Sequence, residues 1–185
     1  MAKAKGKGSQ GTTRESGRAE VIGQGRFLRL VRRGKWEFVE RIRSSGVVGI
    51  IATTPGSQLV LVEQWREAAG AMCIELPAGL VGDEQEDEDA VESARRELEE
   101  ETGYRAAWLE HVADGLSSAG LTDELVGLYR AGGLERVHEG GGTASEDIRV
   151  HTVPLAEVPA FLRHCVQDGR KVDVKVWAAL WFIGR

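Results

Sequence analysis

The sequence predicts an α/β fold in which a mixed β-sheet carries helices on its faces. Two observations predict it. Short β-branched or alternating runs, punctuated by Pro and Gly, fill the chain up to about residue 80, and a single helical period follows. Further strand-like runs and then two closing helical stretches complete the order of strands, helix, strands, helices. No internal repeat and no second domain is evident, so residues 21–185 are expected to form one domain of the 185-residue chain.

Residues 1–20 are basic and Gly/Ser-rich, lack an apolar segment, and read as a disordered tail rather than a secretory signal. Arg26 to Val31 and Trp36 to Ile42 alternate moderately, and the break Arg32-Arg33-Gly34 suggests a hairpin between them. Gly46 to Thr53 and Gln58 to Val62 are β-branched strands split by the turn signal Pro55-Gly56. Ala71 to Leu76 is another strand, and Pro77-Ala78-Gly79 argues for a tight loop after it. Glu88 to Thr102 reads as a helix with Val91, Ala94 and Leu98 as its apolar stripe and Gly103 as its stop. Strands are expected at Ala107 to Val112, Leu125 to Tyr129 and Ile148 to Val153, with a mobile Gly-rich segment, Glu139 to Ser145, before the last. Leu155 to Val166 and Val172 to Ile183 read as helices; Trp177 and Trp181 sit beside the apolar face of the second and are expected in the core.

The longest apolar run, Gly46 to Ala52, is too short to span a bilayer. Cys73 and Cys165 match no metal spacing and read as reduced, packed thiols of a cytoplasmic protein. His111, His138, His151 and His164 are dispersed and offer no competing site. The charge distribution says more than the net value of −5. Residues 83–101 contain eleven acidic and two basic side chains, so this one segment accounts for the negative charge of the chain.

A charge run is usually a solvated face, but the spacing here argues otherwise. Glu97, Glu100 and Glu101 are three and four positions apart and project from one side of the helix, where like charges repel unless a cation joins them. Hard oxygen donors without nearby Cys or His suit Mg²⁺ or Mn²⁺ and not zinc. Gly82, five residues, Glu88, seven residues, Arg96-Glu97-Leu98, one residue, Glu100-Glu101, one residue, Gly103 resembles the signature of the Nudix hydrolases at every fixed position. Tyr104, where an aliphatic residue is usual, is a mild departure.

The resemblance implies an α/β/α sandwich with a mixed sheet, an N-terminal strand extension, and hydrolysis of a diphosphate bond without a covalent intermediate. It implies Mg²⁺, with Mn²⁺ as a substitute, on Glu97, Glu101, the backbone of Ala78 and, directly or through water, Glu100. Arg96 and Glu88 would have structural roles in the box, as would Gly82 and Gly103.

Outside the box, Glu63-Gln64-Trp65-Arg66 and Glu75-Leu76-Pro77-Ala78-Gly79 resemble the ADP-ribose and nucleoside-diphosphate-sugar pyrophosphatase branch. Arg66 then approaches the substrate phosphates, a surface ion pair being the plainer alternative. Trp36 either stacks on a base or simply packs. The segment from Ser117 to Glu124 keeps the branch's loop, with Glu124 a substrate-binding candidate, but has Ala119 where the ADP-ribose pattern has Pro. A GDP-sugar activity is therefore the alternative, and a silent ligand-binding domain a remoter one. Glu146 is a further metal ligand or the general base; Glu139 and the box glutamates remain alternatives, because Ala144 stands where some members carry the base. The resemblance also implies a homodimer built through strands in residues 21–45, with a small nucleoside diphosphate derivative as ligand and neither membrane nor nucleic acid as partner.

Overall fold

The computed structural model describes residues 18–43, 46–82, 88–143 and 146–184. Three strands open the chain: β1 (Glu20–Gln24), β2 (Leu28–Arg33) and β3 (Trp36–Arg41), forming an antiparallel sheet in that order. Four more follow: β4 (Gly46–Ala52), β5 (Gln58–Arg66), β6 (Ala71–Glu75) and β7 (Ala78–Val81). Helix α1 (Ala90–Thr102) leads into β8 (Tyr104–Arg105), β9 (Trp108–Leu116), β10 (Leu125–Gly132) and β11 (Glu135–Arg136). The chain closes with β12 (Arg149–Pro154), α2 (Val158–Gln167), β13 (Lys171–Val172) and α3 (Val174–Ile183).

Two four-stranded mixed sheets form the middle layer, ordered β7-β4-β10-β9 and β12-β5-β6-β13. β4 pairs parallel with β10, and β6 parallel with β13; their other neighbours are antiparallel. The period-two alternation of β4 shows how the layers are divided. Val48, Ile50 and Ala52 pack with Ala94 and Leu98 of α1, whereas Ile51 packs with Leu162 of α2 and Val176 of α3. One strand thus serves two cores, which is why its run is apolar throughout and does not alternate with polar residues. The result is the α/β/α sandwich with a mixed sheet that the sequence implies.

Several boundaries differ from the sequence reading. β1 starts at Glu20, inside the expected tail, while residues 1–17 lie outside the described residues. Arg32 and Arg33 belong to β2, and the turn falls on Gly34-Lys35 with Gly34 at φ 62°. Ala78 and Gly79 do not form a loop: they start β7, which pairs antiparallel with β4 through Gly49↔Ala78 and Val48↔Gly79. Pro77 precedes that strand, where its missing N–H disrupts no ladder, and its carbonyl accepts from Ile50 N at 2.8 Å. Trp177 and Trp181 are 47% and 59% exposed and are not core residues; Val176 and Ala179 supply the buried face of α3. Val91 is likewise exposed, with Ala94 and Leu98 carrying the stripe of α1 alone.

Helix α1 begins two residues later than its acidic run suggests, because Asp89 caps it. The Asp89 carboxylate accepts from Val91 N at 2.8 Å and Glu92 N at 3.0 Å. At the other end Gly103 adopts φ 72° and donates to Glu99 O at 2.8 Å. A Cβ at Gly103 would lie 2.1 Å from the His138 carbonyl oxygen, so conformation and space both require glycine. Gly103→Ala is expected to destabilise the fold by about 2 kcal/mol or more, read as a lowered denaturation midpoint at unchanged slope.

Candidate active site

Arg96 organises the carboxylates of α1. Its guanidinium lies 3.1 Å from Glu88, 3.0 Å from Glu97 and 3.3 Å from Glu100. Ser93 Oγ also donates to Glu88 at 2.8 Å, which ties the segment entering the helix to its first turn. The Arg96 hydrogen bonds hold the Glu88 carboxyl below its ordinary value. Glu88 and Arg96 thus tie the segment before α1 to the first turns of the helix.

Glu97 and Glu101 point from α1 toward β7. The Ala78 N–H donates to Glu101 Oε2 at 3.0 Å, and a Cβ on Gly79 would lie 2.0 Å from Glu97 Cδ. Glycine at 79 is what lets the Glu97 carboxyl lie against the strand. Only 5% of Glu101 is exposed. Burial, and then the nearby charges of Glu97 and Glu146, push its carboxyl up to about 8 against the lowering effects of Ala78 N–H and Arg66. Such a group is costly to ionise unless positive charge comes to it.

Glu97, Glu101, Glu146 and Ala78 line one cavity of about 590 Å³. Glu146 reaches it from the segment before β12, its Oε2 accepting from Thr143 N at 2.8 Å and Thr143 Oγ1 at 3.0 Å. The Gly-rich segment is docked on the helix end, where Gly141 N donates to Glu101 O at 2.9 Å and Gly142 N to Glu100 O at 3.1 Å. Ala144 and Ser145 lie outside the described residues. Glu100 is not brought into this cavity; it lines a separate hollow with Glu88, Arg96 and Glu99. Glu139 pairs with Arg136 at 2.9 Å and is not among the cavity residues.

Cations line the same cavity, each paired with a carboxylate. Arg66 makes a fork on Glu75, at 2.7 and 2.6 Å, and these bonds raise its pKa further above the ordinary arginine value. Arg41 holds Glu124 at 2.6 Å, and both line the cavity. Val39 N donates to Leu121 O at 2.8 Å, so the loop after β9 is fastened to β3 beside that pair. Trp36 lies at the β2–β3 turn, 62% exposed and away from the cavity of its own chain. Sequence reasoning missed Arg41, Asp173 and Lys175 as cavity residues. Asp173 before an apolar helical run signals an N-cap, but nothing local in the sequence places the start of α3 at this cavity. A hollow of about 640 Å³ beside α2 has one carboxylate, Glu157, and no Lys or Arg, and so lacks the charge pattern of a site for anions and cations.

Among the described residues no three acidic, His or Cys side chains converge into a metal cage by themselves. The donor set nevertheless fits a hard divalent cation: three carboxylates share the cavity, and the buried one stays protonated near neutrality without an added charge.

Residues 43–169 match the NUDIX domain family model, and the chain belongs to the Nudix hydrolase family. Over 172 residues, 90% of both chains, it is 33% identical to a methanol dehydrogenase activator from Bacillus methanolicus. It is 34% identical to an ADP-ribose pyrophosphatase from Bacillus subtilis (strain 168), over 57% of this chain and 56% of that one. A GDP-mannose pyrophosphatase from Cronobacter sakazakii is 33% identical over 70% of this chain and 71% of its own. The fold is that of a solved ADP compounds hydrolase, with a TM-score of 0.63 at 18% identity over 80% of this chain and 82% of that one.

Glu101 imposes a pH dependence on the metal-free protein. The folded carboxyl, at about 8, keeps a proton that the unfolded carboxyl, with its ordinary value of 4.5, has lost. Stability therefore falls as pH rises from roughly 5 to 8, because the folded state binds the extra proton. Thermal midpoints measured in EDTA are expected to fall across that window in wild type. Glu101→Gln flattens the fall; an equal fall in both proteins would remove Glu101 as its source.

Proposed function

We propose that this hydrolase cleaves the diphosphate bond of ADP-ribose or a related nucleoside diphosphate sugar with Mg²⁺, releasing a nucleoside monophosphate and a sugar phosphate. The observation that carries the reading is one cavity lined both by the Glu97, Glu101 and Glu146 carboxylates and by Arg66 and Arg41. A diphosphate accompanied by a divalent cation is a ligand that would use both kinds of charge at once. Glu97, Glu101 and the Ala78 backbone would hold the ion, Mn²⁺ being able to replace Mg²⁺, whereas Glu100 stands outside this cavity. When bound, the ion neutralises the diphosphate and lowers the pKa of a coordinated water.

The residues of the chain do the rest by positioning. Arg66, kept rigid by Glu75, presents its outer N–H groups to phosphate oxygens, and Glu124, held by Arg41, accepts from a substrate hydroxyl. Glu146 takes the proton of the attacking water. Phosphoryl chemistry needs little covalent participation by the protein, so this placement is the main catalytic contribution.

Exposed Val21, Phe27, Leu28, Leu30 and Trp36 crowd the N-terminal sheet and support a homodimer through it, with Trp36 reaching a base in the partner's cavity. Two buried free cysteines support a cytoplasmic location. No described helix is long and apolar enough to cross a membrane, and no nucleic-acid partner is proposed.

A second reading, GDP-mannose hydrolysis, is favoured by Ala119 and by the likeness to a GDP-mannose pyrophosphatase over 70% of the chain. The longer likeness to a methanol dehydrogenase activator adds a third assay, stimulation of a methanol dehydrogenase.

The test is a substrate panel of ADP-ribose, GDP-mannose, UDP-glucose, NADH, FAD and diadenosine polyphosphates with Mg²⁺, with products resolved. ADP-ribose is expected to turn over fastest. Glu101→Gln is expected to cost more than the roughly 10–100-fold typical of an outer-shell partner. Preference for dinucleoside polyphosphates contradicts the substrate assignment, and unchanged turnover in Glu101→Gln contradicts the metal mechanism. Sedimentation of a single 20.1 kDa species would contradict the dimer.

A further inference from the structure

The cavity contains a third cation, on an element far from the signature helix. Lys175 stands in the first turn of α3, and its stem crosses the face of β4 at Gly49, where an added Cβ would lie 3.7 Å from Lys175 Cδ. Its ammonium lies 2.6 Å from Asp173 Oδ2, while the other Asp173 oxygen caps α3 by accepting from Lys175 N at 2.7 Å. Both side chains line the cavity that holds Glu97, Glu101 and Glu146, and they are 22% and 24% exposed.

Among the described lining residues the cations are Arg41, Arg66 and Lys175, and their tethers differ. Arg66 is fixed by two parallel bonds to Glu75, whose side chain is 7% exposed. Lys175 is a point charge on a flexible stem, joined by one contact to a carboxylate that solvent reaches. Asp173 needs only one oxygen to cap α3, so the ammonium can leave the other without unwinding the helix.

We propose that Lys175 is a substrate-contacting residue that exchanges Asp173 for a non-bridging phosphate oxygen of the bound nucleoside diphosphate. This rests on the diphosphate reading of the cavity. Asp173 holds the ammonium over the floor of the site until the anion arrives, and competes with that anion for it. The two residues therefore have opposite effects on affinity.

The test is calorimetric titration of α,β-methylene ADP, a non-hydrolysable nucleoside diphosphate, into the full chain with Mg²⁺ present. Lys175→Met keeps the stem and removes the charge; it is expected to weaken binding by at least about tenfold, the scale of one charge-assisted hydrogen bond. Asp173→Asn keeps a capping oxygen and removes the competing charge, and is expected to tighten binding a few-fold. In turnover, Lys175→Met is expected to raise KM more than it lowers kcat.

A merely structural pair predicts another pattern, in which both variants lower the thermal midpoint and neither changes affinity in the folded protein. Equal affinity in wild type and Lys175→Met overturns the proposal, as does weakening by Asp173→Asn as large as that by Lys175→Met. The failures are distinguishable. If wild type hydrolyses none of the panel compounds, the functional reading fails; if it hydrolyses them and Lys175→Met binds the analogue as wild type does, only the role of Lys175 fails.

Discussion

A carboxyl group buried beside two others is the constraint from which the arrangement of this site follows. Glu101 is nearly inaccessible, accepts from Ala78 N–H, and has Glu97 and Glu146 as electrostatic neighbours. Such a cluster persists only if the scaffold holds it rigidly, since each like charge pushes the others away. The scaffold does so from several directions. Asp89 and Gly103 fix the ends of α1, Arg96 joins Glu88, Glu97 and Glu100, and Gly79 leaves room for Glu97 against β7. Leu98 and Ala94, both fully buried, press the helix onto the sheet from behind.

On the proposed reading, a hard divalent cation would offset the electrostatic cost of bringing these carboxyl groups together. The cations of the cavity come from remote elements: Arg41 on β3, Arg66 on β5 and Lys175 on α3. Each has its own carboxylate, namely Glu124, Glu75 and Asp173. These pairs are therefore nearly neutral overall. On the proposed reading, choice among substrates would depend on how firmly each cation is held, and not only on which cations are present.

How much was legible beforehand follows from the range of the contacts. The box residues lie within one helix and its flanks, so their spacing grouped Glu97, Glu100 and Glu101 on one side, although Glu100 lines a separate hollow, and the resemblance supplied Arg96 as their partner. Ala78 was placed through its resemblance to a known motif, but its strand was not, because Pro77 and Gly79 read locally as a loop while β4 supplied the pairing from thirty residues away. Trp177 and Trp181 look like core in an apolar helix, and only the narrow contact of α3 with the sheet leaves them exposed. The short strands β8, β11 and β13 have no periodicity to read at all. Lys175 and Arg41 carry no local signal either, because a side chain's place in a cavity is set by the tertiary packing of its element.

The most direct measurement is proton release on metal binding. Mg²⁺ is titrated into the protein near pH 7 by calorimetry in two buffers of different ionisation enthalpy. With the Glu101 carboxyl at about 8 in the metal-free protein, binding is expected to expel close to one proton per chain, and Glu101→Gln to abolish that release. Binding with the same heat in both buffers, or the same proton release from Glu101→Gln, would contradict the claim that this buried carboxyl is where the metal acts.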